Sequence, residues 1–450
     1  MSAVFVVGAG PAGLFAAQKI ALAGHQVIIF NRDIKLGGLA EYGIYPVKHK
    51  MKDGLRKQFA KVMALPNVHY FGHAPVAENA LIHLEDLRQF SPAAMVFAVG
   101  AQGTKRLNLP GEGARGVYSA KDFVYFYNQL PPFASRDFST GKRVAVVGMG
   151  NVMVDIARWL LIDDHFHSAE EVIVIARRGP FEAKFDEKEF HYIDAHLDRA
   201  DFEQELARVK ERVAAVGQDV TKAGDIFTLL NKPAVDAKRP LLKFRFLSSP
   251  SAIHGGADGR IERLTITENL LVERNGSTAA KATDKTFELD VDTMIFAIGD
   301  VADPSVGLPY GQDGYLTDPN VPDPKHPSFE VYDPGNAKVV DGLYVVGWAR
   351  RASDGLVGIA RHDGEVGAGH VLSYLEKNPG KTLVTAEEIA GWLASRGVQA
   401  VDKNDMNLLI AAEHREAVTR GVEHFKFSDD RSMLRAIEGE KSASKAAVLG

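Results

Sequence analysis

No cysteine occurs anywhere in the chain. That excludes disulfides, a redox-active thiol pair and a cysteine-ligated iron–sulfur cluster, so electron chemistry must use a bound organic cofactor and an external partner. Charge of one sign is not in large excess either. The 53 Lys and Arg against 58 Asp and Glu leave a net charge of −5, which offers no electrostatic footprint for nucleic acid. No apolar run reaches the length a bilayer requires, and no basic stretch with an apolar core opens the chain. Neither membrane insertion nor export is expected, and the expected setting is cytoplasmic. Fifteen histidines are present, but His165 and His167 in "DDHFHSAEE" sit among acids on a polar turn. They read as a solvated loop, and no metal is expected. What remains is an ordinary globular composition, 46% hydrophobic and 25% charged over 450 residues, with room for two or three domains.

Two glycine-rich turns organise that length. The apolar run 4–7 leads into Gly8-Ala9-Gly10-Pro11-Ala12-Gly13, which opens a periodic apolar stretch as far as Ala23. Gly24 ends it, and "QVIIF" (26–30) reads as a second strand. Strand, helix and strand in succession give GxGxxG its meaning. Gly8 permits the tight turn, Gly10 lets the backbone approach a pyrophosphate, and Gly13 lets helix and strand pack closely. Free N–H groups at the helix start face the phosphates. The second strand should end in an acid for a ribose hydroxyl. It ends in Asn31, which accepts a hydrogen bond without charge; Asp33 is the alternative.

"KRVAVVGMGNVMVDIARWLL" (142–161) repeats the design with strand 144–147, Gly148 and Gly150. Met153 replaces the third glycine, so looser helix–strand packing is expected there. In the next strand segment, "EVIVIARRGP" (171–180), Arg177 and Arg178 stand where an acid would select NAD. Guanidinium groups there suit the 2′-phosphate of NADP, the other reading being a solvated charged turn. Two loops imply two dinucleotides, FAD and NADP, with electrons passed between them.

Further segments follow in a fixed order: "GGLAEYGI" (37–44), "AAMVFAVGAQGTKRLNLPG" (93–111), "GVYSAKDFVYFYNQLP" (116–131), "RRGPFEAKFDEKEF" (177–190), "TMIFAIGD" (293–300) and "GLYVVGWARRASDGLVGIA" (342–360). Together with the two turns, the chain resembles the adrenodoxin-reductase type of FAD-dependent NADPH:ferredoxin oxidoreductase, related to the small subunit of glutamate synthase. The resemblance runs from about residue 3 to 375 and more faintly through "EHREAVTRGVEHFKF" (413–427). It implies an α/β fold of two Rossmann-like dinucleotide-binding domains, the NADP domain inserted into a discontinuous FAD domain. The implied boundaries are 1–105 and 331–450 for the FAD domain, with a helical tail, and 106–330 for the NADP domain.

The resemblance also implies site residues. FAD contacts fall at Gly8, Gly10, Ala12, Gly13 and Asn31, with Leu39 near the flavin ring and Val76 at the adenine. Trp348, Gly355, Leu356 and Val357 match the stretch that embraces the isoalloxazine, and Gly355 lies where nicotinamide would meet flavin. NADP contacts fall at Met149, Gly150, Asn151 and Val152 for the pyrophosphate, Arg177 and Arg178 for the 2′-phosphate, and Glu189. Asp155 matches a helix acid near the active site and is the catalytic candidate; the other reading is an acid favoured by the helix dipole in a first turn. The family's Pro-Asp-His stretch is replaced by "GIYPVKHK" (43–50), where Lys48 or His49 would have to stand in as proton relay. Arg350, Arg351 and Arg361 add charge that faces a partner or solvent.

The implied activity is hydride transfer between NADPH and FAD, then single-electron transfer to or from a ferredoxin-like iron–sulfur protein or another redox protein. Lys238, Arg239, Lys243 and Arg245 are candidates for a basic docking patch, the other reading of each being a solvated charge scattered over the surface. Two other readings stand beside it: an electron-input subunit of a larger synthase or dehydrogenase, and a flavin-binding regulatory protein without turnover. Elsewhere, 198–217 reads as a charged surface helix and 254–260 as a hairpin between antiparallel strands. The Pro- and Asp-rich stretch 317–336 reads as loop. Thr385 and Glu388 form a capping box, a second tail helix spans 405–420, and the last residues read as frayed.

Overall fold

A computed structural model describes residues 1–164, 168–233, 235–312, 314–321, 327–351, 357–379 and 384–449. The chain forms two units, one of residues 1–105, 127–135 and 299–450, the other of 106–126 and 136–298.

The first unit is built on a six-stranded sheet. Its order is Glu330–Asp333, Lys338–Val345, Ala94–Phe97, Ala3–Val7, Gln26–Phe30, Val68–Phe71, parallel except for the Glu330–Asp333 edge. Every residue of the central strand Ala3–Val7 is buried. Val4 and Val6 pack on one face with Leu14, Phe59 and Val371, while Phe5 and Val7 pack on the other with Ile82, Leu87 and Ile389. Successive side chains point to opposite faces, so a strand covered on both sides must be apolar throughout. The helices Pro11–Leu22, His49–Met63 and Val357–Lys377 supply the first cover, joined by Met406, Leu409, Met433 and Ile437 of the tail.

The second unit carries a five-stranded parallel sheet, ordered Val117–Ser119, Thr293–Phe296, Arg143–Val147, Glu171–Ile175, Leu241–Arg245. Three antiparallel strands, Ser248–Gly255, Ile261–Arg274 and Ser277–Asp290, form a separate sheet beside it. The charged helix is Arg199–Ala214, its start capped by Asp198.

Two expectations give way. The stretch 317–336 contains the strand Glu330–Asp333, whose Val331 is fully buried; tertiary pairing with Lys338–Val345 outweighs a loop-like composition. The end of the chain is helical over Asp430–Leu449 rather than frayed, because buried Met433 and Ile437 anchor a segment rich in good helix formers. Among the described residues no helix is long and apolar enough to cross a membrane.

Candidate functional site

Each unit carries one of the glycine turns, built by the same device. Gly8 has φ +106°, and a Cβ there would lie 2.5 Å from the Ala98 carbonyl oxygen; Gly148 has φ +126° and would meet the Ala297 oxygen at 2.2 Å. Only glycine turns this tightly against the neighbouring strand. Gly10 and Gly150 differ from these. Each is the extended residue before a helix with no side-chain cap, and a Cβ on either would touch nothing within 4 Å. Open space in front of uncapped helix N–H groups is what an anionic pyrophosphate requires.

In the first unit the turn is the floor of a half-open cleft with apolar and polar walls, the kind of concave setting that small-molecule sites use. Its wall brings together Gly8, Gly10, Ala12, Asn31, Leu39, Val76, Trp348 and Val357. Gly13 is not on the wall. It packs under the turn, where a Cβ would lie 2.1 Å from the Gly8 oxygen. Gly355 and Leu356 lie outside the described residues. The sequence reading missed Arg32, Gln102, Asp303 and Ser305 on the same wall; no local pattern marks them, since they come from three separate loops.

Asn31 is 7% exposed, and its amide is engaged on both ends. Oδ1 accepts from the Ala9 N–H at 2.9 Å, while Nδ2 donates to the Asp33 and Lys35 carbonyls at 2.8 and 3.1 Å. Asp33 also lines the cleft and is held by Arg32 at 2.8 Å, which reaches Gln102 at 3.1 Å. Trp348 sits in the turn Gly347–Ala349, fixed by Asp363, which accepts from the Gly347 N–H and from Arg350. Arg350 is buried, its guanidinium 3.9 Å over the Phe329 ring, so it faces neither partner nor solvent. Arg361 stays exposed, its guanidinium 4.2 Å over the Phe15 ring and bonded to Glu365 and Gln58. The proton-relay candidates lie at one helix start: Lys48 precedes the helix and His49 opens it. The His49 ring stacks on His424 at 3.9 Å, and burial and that neighbour lower its pKa. Among the described residues, His49, Glu423 and His424 are the group whose possible metal-ligating atoms lie within 4.8 Å of one another.

In the second unit, the segment after the arginines lies along the glycine turn. Lys184 N–H donates to the Met149 oxygen at 2.9 Å, and Asn151 Oδ1 accepts from the Asp186 N–H at 2.7 Å. Val152 is exposed at the helix start, and Met153 is fully buried in place of the third glycine. Arg177 is exposed with its carbonyl held by Asn269; Arg178 accepts at its carbonyl from the Leu247 N–H at 3.0 Å, and its guanidinium reaches the Thr278 oxygen at 3.5 Å. Among the described residues neither guanidinium is paired with a carboxylate. Glu189 is half-buried in the short helix Glu187–Phe190. Asp155 is half-buried on the helix Asn151–Arg158, but the first turn of that helix holds no acid, so the dipole explanation does not apply. Lys243 and Arg245 are paired with Glu171 and Asp201 at 2.5 and 2.7 Å, leaving Lys238 and Arg239 as the exposed pair of the expected basic patch.

With these features in place, comparison with known proteins is direct. The profile of the family "Pyridine nucleotide-disulphide oxidoreductase" matches residues 2–313. The chain is 30% identical over 475 residues to the NADPH-ferredoxin reductase FprA of Mycobacterium tuberculosis, covering 96% of this chain and 98% of that protein. It is 29% identical over 487 residues to the mitochondrial NADPH:adrenodoxin oxidoreductase of Bos taurus, covering 96% and 92%. Among solved structures, Mycobacterium tuberculosis FprA in complex with NADPH superposes with a TM-score of 0.81 at 28% identity, covering 97% of this chain and 99% of that one.

Proposed function

The chain belongs to the pyridine nucleotide-disulphide oxidoreductase family, and from that premise we propose that it is a ferredoxin–NADP reductase-like flavoenzyme. It exchanges a hydride between NADPH and FAD and passes single electrons to or from a ferredoxin-like iron–sulfur protein, in a cytoplasmic setting. The observation that carries this reading is the pairing of two glycine turns. One sits under an open cleft; the other is followed by two arginines that, among the described residues, have no carboxylate partner.

FAD, when bound, supplies the chemistry that accepts electrons as a pair and releases them one at a time. The protein's part is placement. Gly10 and the helix start behind it receive the pyrophosphate of FAD, while Leu39, Trp348 and Val357 offer apolar wall to the ring system. Asn31 is committed at both ends of its amide, to the backbone of Ala9, Asp33 and Lys35 and to the Tyr70 hydroxyl, so the ribose contact falls to Asp33, which lines the cleft beside Arg32. On the other unit, Met149, Gly150, Asn151 and Val152 bind the NADP pyrophosphate. Arg177 and Arg178 bind the 2′-phosphate as charge-assisted donors, with Glu189 nearby in sequence. Asp155 is the acid assigned to the reaction.

Anaerobic mixing with NADPH, and separately with NADH, tests the reading through flavin absorbance. NADPH should bleach the flavin quickly and NADH slowly, and replacing Arg177 and Arg178 with Ala should erase the difference. Bound flavin that neither nucleotide bleaches would overturn the proposal.

A further inference from the structure

The cleft-lining turn of the first unit is held from below by charges that come from the far end of the chain. Residues 37–40 pass directly over the phosphate turn: the Gly37 N–H donates to the Ala9 oxygen at 2.7 Å, and a Cβ on Gly38 would lie 3.2 Å from the Gly10 Cα. Gly38, Leu39 and Ala40 all line the cleft. The next residue, Glu41, turns the other way and is buried, its side chain only 5% exposed.

A carboxylate in such a place must be paired, because burial works strongly against its charge. Arg56 reaches both of its oxygens, at 2.7 and 2.9 Å. Lys426 reaches one at 2.7 Å and the backbone oxygen of Glu41 as well, at 3.0 Å, with its ammonium 4.9 Å from the centre of the Tyr42 ring. Lys35 stands 3.7 Å away and is bound at 2.6 Å by Glu413 of the tail helix Lys403–Arg420. Burial opposes the charge on Glu41, and Lys35, Lys426 and Arg56 together outweigh it, holding the carboxyl far below its ordinary range.

Arg56 alone would satisfy the carboxylate. Lys426 does something Arg56 does not, since it ties the side chain and the main chain of one residue to a single point. The helix Leu39–Tyr42 has four residues and no side-chain cap, too short to hold its own geometry. We propose that Lys426, supported by Glu413 through Lys35, is a positioning residue of the flavin site. The C-terminal segment fixes the turn that presents Leu39 and Ala40 to the flavin. This rests on the reading of the cleft as the FAD site, and it assigns the tail a part in cofactor binding.

The test compares Lys426→Met, Lys426→Arg and Glu413→Gln in the full-length protein, reading FAD affinity on reconstitution and the visible circular dichroism of bound flavin at saturating FAD. Glu41 keeps Arg56 in every variant. Lys426→Met should weaken FAD binding about tenfold, the scale of one lost charge-assisted bond, and change the flavin dichroism even when the site is full. Lys426→Arg should restore most of the dichroism, and Glu413→Gln should change it in the same sense by less. KM for NADPH should not move, since its loop belongs to the other unit. Wild-type affinity and dichroism in Lys426→Met would overturn the proposal. So would lower thermal stability with unchanged dichroism, which is what a merely structural role predicts. Should Lys426→Met not fold, the other two variants carry the same readout. Flavin that binds normally but is not bleached by NADPH would defeat the proposed function while leaving these outcomes interpretable.

Discussion

At the scale of single residues, Asn31 shows why an expected acid is absent. Its Nδ2 donates to two backbone carbonyls, Asp33 and Lys35. A carboxylate there would keep the Ala9 bond but turn an oxygen toward two carbonyl oxygens, where the nearby Tyr70 hydroxyl is already engaged with the Ile34 oxygen at 3.0 Å. Lys52 is the opposite case, a charge the fold tolerates at a cost. It is 3% exposed, bonded to Asn128 at 2.9 Å, and burial first, then the like charges of Lys426, Arg56 and Lys35, push its pKa from 10.5 down to about 7. Between pH 7 and 10.5 the unfolded chain therefore holds a proton that the folded chain has lost, so this group makes stability rise with pH across that window and contributes no slope below it. Lys52→Met should be more stable than wild type near pH 7, by an amount on the order of a few kcal/mol. The gain should shrink toward zero as the pH approaches 10.5. Denaturant midpoints of both proteins across the window check this, and a difference independent of pH would refute it.

At the scale of elements, the glycines of the two turns divide by what surrounds them, and the division predicts two kinds of defect. A Cβ at Gly13 would strike the Gly8 oxygen, whereas one at Gly150 enters open space on a backbone with φ −121° that any residue adopts. Gly13→Ala should damage folding and FAD retention together. Gly150→Ala should leave the unfolding midpoint within the small range of surface substitutions, about 0.5 kcal/mol, yet raise KM for NADPH, because the methyl group occupies the anion's space. Equal loss of stability in both variants would show that the second turn is merely structural. The same division explains what the sequence made legible. Turns and caps are local, so Gly8, Gly148 and the Thr385–Glu388 capping box could all be read from spacing. The strand Glu330–Asp333 could not, because a partner strand and not its own composition creates it. The ion network around Glu41 was equally hidden: Lys35, Glu413 and Lys426 lie far apart in sequence, and only the fold brings them together beneath the cleft. Lys243 and Arg245 misled in the reverse sense, looking free in sequence and being paired in space.

At the scale of the whole molecule, each unit owns a complete turn, with its own parallel sheet and its own helix start. The cleft of the first unit is nonetheless assembled from stretches as distant as Gly8, Val76 and Trp348, so its ligand should order segments that sequence keeps far apart. A ligand that binds only the folded form stabilises it by mass action, about 2.7 kcal/mol at a hundred times its Kd, and the protection falls on the amides it touches or braces. Hydrogen exchange should therefore slow on adding FAD to the flavin-stripped protein at 8–13, 31–42, 75–77 and 347–349. By the argument from Lys426 it should also slow around 413–426, which no flavin atom need reach. NADP+ should instead slow exchange around 148–155 and 177–189. Protection at the first four segments without any change at 413–426 would confine the tail to a static support. NADP+ protection that left 148–155 untouched would remove the second turn from cofactor binding, since its helix N–H groups are the reason the sequence places a glycine at 150.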